Sequence, residues 1–221
     1  MEENNNNINS QTDIMDNREE VMQRAPLLGK GIRILFWMFI PSILANIMSN
    51  ETLIEWAPVL YLPGQTLQIA CLVIYNLVLL KMSPAERRYR NAGICGMISA
   101  GITVVLLFIP GSGESVAWTA LLAFPAAIVA FVGEYYEYTG HAEVLSGVDL
   151  ILSEKWKTLW RWYVELLIAA VAGILVLFMG MLAFAVLVIG ALVVLGAAIG
   201  ILVIGILKLV YLYRTAKVFR N

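Results

Sequence analysis

Residues Leu166–Leu207 read LLIAAVAGILVLFMGMLAFAVLVIGALVVLGAAIGILVIGIL and contain no charged residue and no Ser, Thr, Asn, Gln or His. A helix rises about 1.5 Å per residue, so these 42 residues would extend roughly 63 Å as one helix, against a hydrocarbon core of about 30 Å. One straight span cannot use that length, whereas two antiparallel spans can. The stretch therefore predicts a membrane protein with a helical hairpin as its last two spans.

The composition of the whole chain agrees with a membrane protein. Its 221 residues are 60% hydrophobic and 14% charged, whereas soluble domains are usually about 45–50% apolar and about 25% charged. Apolar runs long enough to cross a bilayer recur along the chain. We predict an all-α integral membrane protein, a bundle of six transmembrane helices plus one cytoplasmic interfacial amphipathic helix.

The first 29 residues differ from the rest by their polarity. They include the asparagine run Asn4–Asn7, and acidic residues dilute their arginines. Low hydrophobicity without periodicity predicts disorder. A cleavable signal peptide is not expected, because a basic n-region, a short apolar core and a small-residue cleavage site are missing. We predict a disordered cytoplasmic tail over 1–29 and a polytopic membrane domain over 30–221.

Six spans fit the apolar runs of the membrane domain. Their approximate limits are 32–50, 65–82, 92–110, 116–133, 164–182 and 188–208. Pro41 lies in the middle of the first span and should kink it, because proline removes one backbone hydrogen bond and clashes with the preceding turn. The fourth span ends in the run Glu134–Tyr138, EYYEY, which is typical of an interfacial aromatic belt.

Residues 140–162 are amphipathic. Their large apolar side chains recur at three- and four-residue spacing, while charged and small polar side chains take the other faces. This pattern is typical of a helix that lies in the membrane interface. We therefore predict a cytoplasmic amphipathic helix over about 140–162, before the fifth span.

The basic residues indicate how the spans are oriented. With the amino terminus in the cytoplasm and six spans, all 15 Lys and Arg residues fall on the cytoplasmic side, where the positive-inside rule expects an excess. Only acidic residues remain outside, namely Glu51, Glu55 and Glu114. If the last apolar stretch crossed once, the final four cations would lie outside. We predict six spans with both termini cytoplasmic, in the cell (plasma) membrane.

Uncharged polar side chains gather on one face of each of the first two spans. On a helical wheel Ser42, Asn46 and Ser49 share a face of the first span. The corresponding face of the second span carries Gln65, Gln68, Tyr75 and Asn76. One interpretation is a polar path or substrate site between the two helices. The other is interhelical hydrogen bonding, which contributes about 0.6–2 kcal/mol per bond.

Two further patterns are candidates for lipid contact and helix packing. Arg87, Arg88 and Arg90 could hold anionic lipid headgroups, although the topology alone also accounts for them. The pairs Gly96-xxx-Ala100 and Gly196-xxx-Gly200 have the spacing that lets helices approach closely. Packing within the chain is one interpretation of these pairs, and self-association through the sixth span is the other.

No catalytic, cofactor-binding or metal-binding residue is predicted. His141 is the single histidine, and Cys71 and Cys95 form no CxxC or Cys/His pattern, so a zinc site and a disulfide framework lack support. The motifs of hydrolases, metalloproteases and phosphate-binding loops are missing. No span carries a charge in its central third, which counts against a proton relay.

Two function classes remain open. The first is a non-enzymatic membrane component that assembles in the lipid bilayer with itself, as a homo-oligomer, or with a membrane-protein partner. The second is a small transporter or channel that uses the Ser42/Asn46 and Gln68/Asn76 faces. Neither an enzyme nor nucleic-acid binding is expected.

Overall fold

The computed structural model describes residues 23–108, 115–180 and 184–220. Within these ranges the chain is helical and contains no strand. The helices are α1 (Ala25–Trp37), α2 (Phe39–Met48), α3 (Glu51–Trp56), α4 (Tyr61–Met82), α5 (Arg87–Leu107), α6 (Ser115–Ser146), α7 (Leu150–Gly180) and α8 (Phe184–Val218). A 3-10 turn, Pro58–Leu60, leads from α3 into α4.

Six helical segments are long and apolar enough to cross a membrane. They are Ala25–Met48, Pro58–Met82, Arg87–Leu107, Thr119–Ser146, Leu150–Met179 and Phe184–Val218. The prediction of an all-helical chain with six helices of spanning length is confirmed. Their length and composition are compatible with a multi-pass membrane protein.

The spans pack around a ring in the order of the chain. The first span, α1 with α2, contacts α4, and each later span contacts the next. The ring closes because α8 packs back on α1. Short connections favour this arrangement, since they make consecutive helices antiparallel neighbours.

The hydrophobic core lies at the end of the ring where α1 begins and α8 ends. Leu28, Tyr89 and Trp156 are among its fully buried side chains. Toward the other end, helices meet in pairs where glycine leaves room. A Cβ atom on Gly190 of α8, for example, would lie 2.9 Å from the backbone nitrogen of Leu177 of α7. The bundle is therefore densely packed at one end and held by pairwise contacts at the other.

The first span is interrupted at Met38, three residues before Pro41. α1 ends at Trp37 and α2 begins at Phe39. The proline ring clashes with the carbonyl group four residues earlier, on Trp37, and offers no N–H to it. The effect of the proline therefore falls one turn before the proline itself.

The structure forms no separate helix over 140–162. Residues 140–146 end α6, and residues 150–162 begin α7, which continues into the apolar stretch. In the turn between them the Leu152 N–H donates to the Asp149 carboxylate at 3.0 Å, which satisfies an otherwise free donor at the start of α7. No glycine or proline that would end α7 occurs between its start and Gly173.

The apolar face of this segment belongs to the core. Leu152, Trp156 and Leu159 are buried, while Ile151 is exposed on another face. The pattern that predicted an interfacial helix is instead that of two helix ends packed against the other spans.

α1 begins within residues 1–29, which the sequence predicted to be a disordered tail. Ala25–Gly29 are helical, and Pro26 stands in the first turn, where its missing N–H deprives the helix of no hydrogen bond. Leu28 is fully buried in the core, so the packed domain extends to Ala25. The rest of the predicted tail, residues 1–22, lies outside the described residues, as do 109–110 and 181–182 at the ends of the predicted third and fifth spans.

Candidate functional site

An ion pair between Glu137 of α6 and Lys208 of α8 lies inside the ring of helices. Lys208 Nζ is 2.8 Å from Glu137 Oε1, and the two side chains are only 21% and 6% exposed. Tyr75 and His141 adjoin Glu137, and Tyr89 is hydrogen-bonded to His141. We refer to these five residues as the buried ionic cluster.

Glu137 has two further polar neighbours. The Tyr75 hydroxyl of α4 donates a hydrogen bond to Glu137 Oε1 at 2.5 Å, and hydrogen bonds to an ionised carboxylate are characteristically short. His141 Nε2 lies 3.8 Å from the same oxygen, which is too far for a hydrogen bond. A single carboxylate oxygen thus connects α4, α6 and α8.

The Lys208 ammonium also faces two aromatic rings. Its Nζ is 4.9 Å from the centre of the Tyr138 ring and 5.9 Å from that of Tyr75, which are cation–π distances. A charge that little water reaches is tolerated only where it is paired and hydrogen-bonded. Glu137 and the two rings meet this condition for Lys208.

His141 connects the cluster to α5 and α7. Its Nδ1 is hydrogen-bonded to the Tyr89 hydroxyl at 2.9 Å, and its ring stacks on Trp156 with centroids 4.6 Å apart. The Trp156 indole N–H donates to Thr215 Oγ1 at 3.1 Å. Among the described residues His141 Nε2 finds no hydrogen-bond partner, although it is buried. Buried polar atoms without a partner are uncommon in folded proteins.

A cavity of about 200 Å³ adjoins the cluster on the side of α1 and α2. Its polar wall residues are Ser42, Tyr75 and Lys208. The rest of the wall is apolar and consists of Leu35, Met38, Phe39, Gly205, Leu209 and Leu212. The cavity gives a small molecule or ion room next to the ammonium group.

The chemistry open to this arrangement is ion pairing, hydrogen bonding and proton exchange among a carboxylate, an ammonium, an imidazole and phenols. In the part of the chain that the structure describes, no three His, Cys, Asp or Glu side chains come together as ligands for a metal ion. The cluster brings groups of opposite charge together inside the bundle.

Three polar side chains of the faces predicted on the first two spans form hydrogen bonds with the backbone of their own span. Ser42 Oγ donates to the Met38 carbonyl at 2.8 Å, and Asn46 Nδ2 donates to the Ser42 carbonyl at 3.0 Å. Asn76 Nδ2 donates to the Leu72 carbonyl at 2.8 Å. Each of these bonds stays within one helix, as is common for short polar side chains. They connect no two helices.

The other polar residues of these spans have different surroundings. Asn76 packs against Gly96 of α5, Gln68 is exposed and Gln65 is half-buried. The Ser49 hydroxyl is buried, with no hydrogen-bond partner in the described ranges. Of the seven residues singled out on the two spans, Ser42 and Tyr75 share the cavity beside the cluster.

The basic connection before α5 is partly neutralised. Arg88 Nη1 lies 2.8 Å from Glu143 Oε2 and donates to the Thr139 carbonyl at 3.2 Å. Arg87 and Arg90 are exposed. Of the three candidate lipid contacts, Arg88 thus already has a carboxylate partner within the chain.

The small-residue pairs have contrasting surroundings. Gly96 packs on Asn76, and Ala100 is buried. A Cβ atom on Gly200 would lie 2.7 Å from Leu166 Cδ1, whereas one on Gly196 would meet nothing within 4 Å. Gly196 therefore takes no part in close packing among the described residues.

Sequence reasoning did not find the buried ionic cluster. It assigned Glu137 to an interfacial belt and His141 to the start of an amphipathic segment, because each is polar and near a predicted span end. One signal was present, since Lys208 precedes the next cation, Arg214, by six residues and stands directly after the apolar stretch. A cation that directly follows so long an apolar stretch lies near the hydrocarbon core of the bilayer, where a charged side chain needs a buried partner.

Comparison with protein-family models, with curated proteins and with solved structures finds no match for this chain.

Proposed function

We propose that this chain is a non-enzymatic membrane component that assembles laterally, with a second copy of itself or with another membrane protein, through the outer half of α8. In this proposal both termini are cytoplasmic and the bilayer is the cell membrane. The buried ionic cluster then lies toward the cytoplasmic ends of the spans and holds α4, α6 and α8 together.

One observation carries the proposal, an apolar stripe on α8 that the other described residues leave uncovered. Leu192, Leu195, Ile199 and Leu202 are each more than half exposed, and they recur at spacings of three and four residues. In lipid, where apolar burial gives no driving force, two helices can pair along such a stripe through van der Waals packing of interdigitated side chains. Gly196 stands beside it with open space around it, and a small residue allows a second helix to approach closely.

A second copy is the first occupant to test. A stripe on one helix is self-complementary about a two-fold axis, and two-fold symmetry is the commonest symmetry of oligomers. The α8 stripe of one copy would then lie on that of its partner.

Disulfide cross-linking in native membranes tests the assembly. In a Cys71→Ala and Cys95→Ala background, we expect Leu195→Cys and Leu202→Cys to form covalent dimers on oxidation. Phe124→Cys on α6 is the control, because Phe124 is equally apolar and 71% exposed but lies off the stripe.

The outcomes separate the two kinds of assembly. A cross-link of both stripe positions to one other membrane protein, absent at the control position, would indicate a heteromeric complex. No adduct at the stripe, or equal adducts at stripe and control, would contradict the proposal.

A small transporter or channel is the second candidate, because the cavity of about 200 Å³ reaches Tyr75 and Lys208. Ionisable residues at membrane depth mark ion and proton pathways in many membrane proteins. In vesicles containing the purified protein, this function predicts a flux of H⁺ or K⁺ that Glu137→Gln abolishes and the surface variant Glu154→Gln retains. A flux of both ions equal to that of empty vesicles would contradict it.

A further inference from the structure

α1 and α8 run side by side at the end of the bundle that contains the core. A Cβ atom on Gly29 would lie 2.6 Å from the carbonyl oxygen of Phe219, and the rings of Phe36 and Tyr213 are 5.7 Å apart. Residue numbers rise along α1 as they fall along α8, so the two helices are antiparallel. Side chains of α1 after Gly29 therefore face side chains of α8 before Phe219.

Three cations line a groove of about 420 Å³ along this contact. Arg33 comes from α1, Lys217 from the last turn of α8 and Arg220 from the turn that follows it; all three are exposed. No acidic residue of the described chain lines the groove, and none of the three cations makes an ion pair there. Within the described residues no carboxylate neutralises these cations, so they give the groove a positive charge.

Aromatic side chains form the other wall of the groove. Phe36 and Trp37 of α1 stand beside Tyr213 of α8, with Trp37 58% and Tyr213 59% exposed. Trp and Tyr are enriched at the level of lipid headgroups, where one part of the ring is apolar and another is wet. The groove thus offers a charged part and an apolar part to the same ligand.

We propose that this phosphate groove, formed by Arg33, Lys217 and Arg220 with Phe36, Trp37 and Tyr213, binds the phosphate group of an anionic phospholipid. Guanidinium groups bind phosphate through two parallel hydrogen bonds, and the lysine adds a point charge. The acyl chains lie against the aromatic wall. The proposal depends on insertion of the chain in a membrane and not on its lateral assembly.

The chemistry of the groove selects among phosphate-containing ligands. A zwitterionic phospholipid brings a quaternary ammonium toward three cations, which is unfavourable. A soluble phosphate pairs with the cations but makes no apolar contact with the aromatic wall. An anionic phospholipid pairs with the cations through its phosphate group and contacts the aromatic wall through its acyl chains.

The exposed cations of α5 provide a matched control. Arg87 and Arg90 are exposed, as Arg33 and Lys217 are, but they do not line the groove. The variants Arg33→Gln with Lys217→Gln and Arg87→Gln with Arg90→Gln each remove two positive charges from the same predicted side of the membrane. General electrostatic attraction to an anionic bilayer should decrease equally in both.

The test measures lipid binding by the purified full chain in a non-ionic detergent, from the shift of its thermal unfolding midpoint. The probes are phosphatidylglycerol, phosphatidylcholine and inorganic phosphate at equal concentrations. We expect phosphatidylglycerol alone to raise the midpoint. We expect the groove variant to bind it about tenfold or more weakly, since one hydrogen bond to a charged group contributes enough free energy for such a change.

The control variant should bind phosphatidylglycerol with an affinity within about twofold of the unmodified chain, since it keeps all the groove contacts. Equal loss in the two double variants would overturn the proposal, as would an equal shift with phosphatidylcholine or with inorganic phosphate. If the groove variant loses its helical circular dichroism signal, the exposed single substitution Lys217→Gln replaces it, with Arg90→Gln as its control.

Discussion

Glu137 shows how strongly one buried residue depends on its partner. Its carboxylate accepts hydrogen bonds from Lys208 and Tyr75 while almost no solvent reaches it. Bringing a carboxylate and an ammonium out of water is unfavourable, and their mutual attraction offsets this only when the pair is intact. Removing either member leaves the other buried and uncompensated.

We predict that Glu137→Gln lowers the free energy of unfolding by about 3–5 kcal/mol, the usual range when one member of a buried pair is lost. The measurement is the thermal or denaturant-induced unfolding of the purified chain in detergent. The variant Glu137→Gln with Lys208→Met should be more stable than Glu137→Gln alone, because it leaves no charge unpaired.

Glu154 and Lys157 provide the control for this prediction. They form an ion pair of 2.7 Å at the surface, with side chains 59% and 48% exposed. Exposed pairs contribute only about 0–1 kcal/mol, so Glu154→Gln should change stability little. A similar effect of Glu137→Gln and Glu154→Gln would show that the buried pair contributes no more than the exposed one.

At the scale of elements, the contact between α1 and α8 closes the ring of helices. It depends on a glycine, because a Cβ atom on Gly29 would lie 2.6 Å from the Phe219 carbonyl oxygen and 3.1 Å from its carbonyl carbon. These are backbone atoms, which cannot move aside as the end of a flexible side chain can.

We predict that Gly29→Ala destabilises the protein by about 1–3 kcal/mol, the usual effect of overpacking. Gly101→Ala in α5 is the control, because a Cβ atom there would meet nothing within 4 Å. Alanine favours a helix over glycine by up to about 1 kcal/mol, so this variant should be neutral or slightly more stable. The measurement is the free energy of unfolding of both variants in the same detergent. An unchanged value for Gly29→Ala would contradict the prediction and would mean that α1 and α8 separate easily.

Helix ends show which structural features can be predicted from local sequence patterns and which cannot. Pro41 predicted the interruption of the first span, because the effect of proline on the preceding turn is local. The amphipathic pattern of 140–162 was interpreted wrongly as a separate helix, because an apolar face has the same spacing whether it meets lipid or protein. The buried position of Trp156 comes from α6 and α8, which periodicity cannot reveal.

At the scale of the molecule, an even number of helices of spanning length predicts that both ends of the chain lie on the same side of a membrane. The distribution of Lys and Arg predicts that this side is cytoplasmic. Reporter fusions after Gly113 and after Asn221 should then be active outside and inside, respectively, and one after Gly147, in the turn between α6 and α7, should be active inside. The reverse result at any of the three positions would contradict the predicted orientation.

The number and the order of the six helices of spanning length follow from the amino-acid sequence alone, because apolar length is a property of each segment. Lys208 could also be recognised from the sequence, as the cation that follows the apolar stretch Leu166–Leu207. Its partner was not, because Glu137 comes beside it only when α8 returns to α1 and closes the ring. Tertiary packing thus determines the buried ionic cluster, the cavity next to it and the phosphate groove, since each is built from residues that are distant along the chain and meet only in the closed bundle.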